Sequence, residues 1–74
     1  MEKDWIKIFT SSDFYRSEIV KQMLIENSID AVLINKQLSG YNIGSVEVYI
    51  HQEDFSKAIE LMAINQMNPW EYAP

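Results

Sequence analysis

The chain has 74 residues, enough for one domain whose core supplies roughly 3 to 5 kcal/mol, so added cover from a tail or a partner is expected. It contains no cysteine, which excludes a disulfide framework, a thiolate metal site and a cysteine nucleophile and suits a reducing compartment such as the cytoplasm. Eleven acidic against six basic residues give a formal net charge of -5, and the cations are scattered from Lys3 to Lys57; a nucleic-acid partner is therefore not expected.

The opening "MEKDWIKIFT" has too many charges and too short an apolar run for a secretory signal. No stretch approaches the roughly 20 apolar residues of a membrane span, so a soluble protein without a membrane partner is expected. Asp4 to Thr10 alternates and is rich in β-branched and aromatic residues, which predicts a strand. Asp13 follows as the N-cap of a helix whose apolar positions Ile19, Val20, Met23 and Leu24 share one face. That helix stops near Asn27 and Ser28, where a left-handed residue is needed. Asp30 to Asn35 and Gly44 to His51 are the second and third strands. Glu53 and Asp54 then suit the positive N-terminus of a second helix, with Phe55, Ala58, Ile59 and Met62 aligned.

The order β-α-β-β-α, with short connections, predicts an α+β fold. It is a truncated ferredoxin-like unit with a three-stranded antiparallel sheet in the order 1-3-2 and two helices on one face. Residues 1–66 form this domain, and 67–74, with Pro69 and Pro74, form a C-terminal tail. Asn35 to Gly44 reads mainly as the reversal between antiparallel neighbours, with Gly40 and Gly44 supplying backbone freedom. Its spacing fits neither a Walker loop nor a dinucleotide fingerprint. A small-molecule pocket near this loop, drawing on Ser39, Tyr41, Asn42 and Ser45, is the alternative, since loops carry function more often than cores.

Alternation sends Ile6, Ile8, Val46, Val48 and Ile50 beneath the helices. The other face receives Trp5, Lys7, Phe9, Glu47, Tyr49 and His51, with either Leu33 and its alternates or their neighbours from the second strand. So many rings on a nominally wet face predict an interaction surface, made of Trp5, Phe9, Leu33 and Tyr49 with Trp70 and Tyr72 from the tail. The tail, a second copy of the chain forming a homodimer, and nucleic acid stacked on the rings are its candidate covers, the last disfavoured by the net charge and the scattered cations. Phe14 and Ile25, eleven residues apart, form a second stripe on the first helix.

Catalysis is not expected. His51 is the sole histidine and has no serine or acid spaced locally to make it a base. Glu53 and Asp54 are explained by the helix dipole, and the dispersed acids offer no evident metal set. Neither a cofactor nor a metal is expected.

"KIFTSSDFYRSEIVKQMLIENSIDAVLIN" and "VEVYIHQEDFSKAIELM" resemble the two halves of the putative prokaryotic signal-transducing protein family, a group of small domains of unknown function. Ser12 and Asp13 match its helix start and Ile29 the apolar residue after the helix stop. Asn35 matches the strand end, Asp54 the acid of the second turn and Ala58 the small helix residue. Phe14 and His51 stand where such domains often have proline, and Ser28 where they have glycine. The resemblance implies a signalling role by analogy with ferredoxin-like PII proteins, whose long nucleotide-binding loop has no counterpart here. The residues and the resemblance together lead to the expectation of a small non-catalytic regulatory or protein-interaction module.

Overall fold

The computed structural model describes residues 4–38 and 44–67. β1 (Trp5–Ser11), α1 (Phe14–Glu26), β2 (Ala31–Asn35), β3 (Val46–His51) and α2 (Phe55–Ile64) follow in chain order, with a 3-10 turn, Gln52–Asp54, leading into α2. β3 lies between β1 and β2 and runs antiparallel to both, giving the expected order 1-3-2. The helices cover one face: α1 leans most on β2 and reaches across the sheet, while α2 lies on the β1 side. No helix among the described residues is long and apolar enough to cross a membrane.

Local chemistry sets the ends of α1. The Asp13 carboxylate accepts from the Arg16 N–H at 3.2 Å, and the Ser17 hydroxyl donates to the Asp13 carbonyl at 3.0 Å. At the far end, the N–H groups of Ser28 and Ile29 donate to the carbonyls of Ile25 and Leu24, both at 3.0 Å. This is the Schellman pattern, and it holds Ser28 at φ 67 where glycine is usual. α2 ends in the same way, with Gln66 at φ 58 and the Met67 N–H donating to the Met62 carbonyl at 2.8 Å. Met67 thereby packs against the core. Gly44 is needed for conformation and for space: its φ is 106, and a Cβ there would lie 2.7 Å from the Lys36 carbonyl oxygen.

The core holds Ile8, Phe9, Val20, Leu24, Ile29, Val48, Ile50, Ala58 and Met62. Phe9 corrects the expectation that it faces outward, because β1 carries a bulge. Lys7 opposes Tyr49, yet Phe9, two residues on, opposes Val48, the very next residue of β3. The extra residue is Ile8, and the slip turns Phe9 under the helices so that both side chains are buried, each 1 % exposed. Burying two large apolar side chains in place of one is worth about 1.5 to 3 kcal/mol, which outweighs a local break in the ladder. Leu33 is also corrected: it opposes the fully buried Val48 and so lies on the helix side of β2. On α1, Ile19 lies outside at 59 % exposure, and the small Ser17 takes the close approach to the sheet.

Candidate functional site

The face of the sheet away from the helices is built in cross-strand rows, because directly opposed residues of antiparallel strands project to the same side. Trp5 opposes His51, Tyr49 lies between Lys7 and Val32, and Glu47 lies between Thr10 and Ile34. β3, the central strand, thus contributes Glu47, Tyr49 and His51 to this face while its alternate residues Val46, Val48 and Ile50 are buried. Of the sequence-predicted surface, Trp5 and Tyr49 are brought onto this face, half-buried. Phe9 and Leu33 are not. Trp70 and Tyr72, like Ser39, Tyr41 and Asn42 of the proposed ligand loop, lie outside the described residues.

At the middle sits a residue that sequence patterning placed on this face without singling it out. Glu47 is only 5 % exposed. Its Oε1 accepts from the Tyr49 hydroxyl at 2.9 Å and meets the Lys36 Nζ at 3.1 Å, while Oε2 meets the Lys7 Nζ at 3.4 Å. Burial pushes the Glu47 carboxyl upward most strongly, but the hydrogen bonds from Lys36, Tyr49 and Lys7 together outweigh it and leave its pKa below the ordinary value. The same contacts act on the partners. The bond to Glu47, then burial and the Glu47 charge, raise the Tyr49 phenol, and the bond and charge of Glu47 raise Lys36. Only the alternation that puts Glu47 and Lys7 on one face hinted at this hub; Lys36, beyond the end of β2, reaches it through tertiary structure alone.

Trp5 and His51 flank the hub, with ring centroids 4.0 Å apart and planes tilted by 33°. The His51 Nε2 lies 3.8 Å from the Asp30 carboxylate. Beside them opens a cleft of about 460 Å³ lined by Asp4, His51, Gln52 and Glu53. A second, apolar cleft of about 420 Å³ lies on the opposite side of the molecule, where Tyr15, Ile19 and Met23 of α1 face Asn65 and Met67. Among the described residues no three His, Asp or Glu side chains converge as a metal set would. Chemically, both oxygens of the Glu47 carboxylate already meet donors, an arrangement that holds the surrounding charges in place.

The family profile described as "Putative prokaryotic signal transducing protein" matches residues 5–66. Neither a curated protein nor a solved structure matches the chain significantly.

Proposed function

The chain belongs to the putative prokaryotic signal-transducing protein family, and on that premise we propose that it is a small, non-catalytic regulatory module of the cytoplasm that binds a protein partner through its open sheet face. One observation carries this reading: the Trp5–His51 ring pair and Tyr49 stand beside an ion-paired Glu47 on the sheet face away from the described helices. Aromatic side chains with polar tips, next to charges whose geometry is already fixed, are the anchors that protein interfaces favour. The net charge of -5 disfavours nucleic acid in the same role.

A photo-crosslinking amino acid placed at Thr10, on the open face, and another at Lys57, on the exposed side of α2, test the proposal in cells. The expected result is a protein adduct from the first site, none from the second, and loss of the adduct in a Trp5→Ala background. Adducts from Lys57 alone, or adducts indifferent to Trp5→Ala, would overturn it. The cleft lined by Asp4, His51, Gln52 and Glu53 favours a second reading, a small-molecule sensor. A thermal-shift screen separates the two, since a metabolite bound to the folded state alone raises Tm.

A further inference from the structure

We propose that the free edge of β2 pairs antiparallel with the β2 edge of a second copy of this chain, joining two three-stranded sheets into one and setting the two α1 helices side by side. The inference rests on the backbone of the sheet edge and on the outer flank of α1; it shares Val32, Ile34 and Lys36 with the open face but not the Trp5–His51 row or Thr10.

The two edges of the sheet are not alike. β1 is a managed edge, interrupted by the bulge at Ile8 and carrying Lys7. β2, "AVLIN", has no proline, charge or bulge, and among the described residues it pairs with β3 alone. Edges of that kind are ready templates for another strand. The Lys36 N–H donates to the Ser45 carbonyl at 2.8 Å, so by alternation Val32 and Ile34 bond toward β3 and the backbone groups of Ala31, Leu33 and Asn35 point outward.

A two-fold axis at Leu33 matches these groups to themselves. Ala31 then opposes the second copy's Asn35, Leu33 opposes its own equivalent, and roughly six reciprocal backbone hydrogen bonds close the seam. The same register sets Val32 against Ile34, apolar on apolar. One step further it sets Asp30, 84 % exposed, against Lys36, 55 % exposed. Opposite charges thus face each other, with Lys36 standing between Glu47 of its own chain, at 3.1 Å, and Asp30 of the second copy.

α1 repeats the pattern independently. Its flank toward α2 carries Ile19 and Met23 beside Asn65 and Met67. The other flank, away from α2 and so toward the β2 edge, carries Phe14, Lys21 and Ile25, with Glu18 on the crest between this flank and the apolar cleft, all at helical spacing. Phe14 and Ile25 are 37 % and 45 % exposed, and Glu18 holds Lys21 at 2.9 Å. Read backwards, apolar, acid, base, apolar becomes apolar, base, acid, apolar. Two such helices packed antiparallel therefore place Phe14 on Ile25 and Glu18 on Lys21, which is the self-complementarity that a two-fold interface requires. Strands pairing at about 4.8 Å carry helices seated over β2 and its neighbour to about 10 Å apart, within packing range.

Sedimentation equilibrium of the full chain is expected to show a dimer. Val32→Lys should weaken it at least about tenfold, as an edge lysine does in natural sheets. Glu18→Lys sets like charges against each other across the axis and should weaken it by about three- to tenfold, while Glu18→Lys combined with Lys21→Glu restores it. Circular dichroism confirms that each variant is folded. In hydrogen exchange, the Ala31, Leu33 and Asn35 amides should be protected at high concentration and exchange on dilution. A monomer at millimolar concentration overturns the inference, as does a dimer indifferent to Val32→Lys and to the charge swap. A monomer would leave the partner reading standing, since the crosslinks from Thr10 report on the β1 side of the sheet, away from the β2 edge.

Discussion

On the covered side of the sheet, β3 lays Val46, Val48 and Ile50 against Phe9 and the helices; on the open side the same strand lays down Glu47, Tyr49 and His51. Burial on the first side is non-directional, so it tolerates the bulge at Ile8 as long as both Ile8 and Phe9 stay dry. On the second side Glu47 is held by distances of 2.9 to 3.4 Å to named donors, an arrangement that depends on geometry and on charge. The contrast teaches that two aromatic positions of one strand, Trp5 and Phe9, four residues apart, do different work. Phe9 holds the fold, and Trp5 dresses a surface.

The sharpest way to break this comparison is to truncate both rings. Phe9→Ala should cost about 3 to 5 kcal/mol, most of what a domain of this size has, whereas Trp5→Ala should cost about 1 to 2. Urea denaturation measures both, and an equal or larger loss at Trp5 would reverse the assignment of the faces.

Next in size is the hub. Glu47→Gln removes the charge that Lys7 and Lys36 meet and should cost about 2 kcal/mol at neutral pH. The sign with pH follows from the lowered carboxyl. Its contribution is fully present above the ordinary glutamate value of 4.5 and is lost as pH falls through the lower folded value. The gap between wild type and Glu47→Gln should therefore close in acid, and a gap that persists at pH 2 would mean that packing, not charge, sets it. At the alkaline end the raised Tyr49 and Lys36 act oppositely: their contribution is present below their ordinary values and fades as pH rises through the folded ones.

The smallest effect tests the frame that both faces share. Ser28 and Gln66 hold positive φ at the two helix ends, at a cost that glycine avoids. Ser28→Gly should raise stability by about 0.5 to 1 kcal/mol, the steric relief being partly offset by the greater freedom of glycine when unfolded. A loss on thermal melting would show that the Ser28 side chain contributes more than its backbone costs.

Element order, strand pairing and the Asp13 cap were legible in the residues, because they rest on short-range chemistry: period-two and helical patterning, a carboxylate beside free N–H groups, and a non-glycine stop where Ser28 replaces glycine. Three things were not legible. Strict alternation sent Phe9 outward, and only the register against Val48 shows the slip at Ile8, since a bulge depends on what the partner strand offers. Helical spacing chose Ile19 for the core, but the close approach of α1 to the sheet selected Ser17. Glu47 was one acid among eleven until folding brought Lys7, Lys36 and Tyr49 to it. Local sequence determines which elements form, because those choices are made by neighbours along the chain, and short connections between them then leave few ways to order the strands. The tertiary structure decides which side chains meet across strands, because contacts between residues forty apart are set by register and burial, which no local pattern contains.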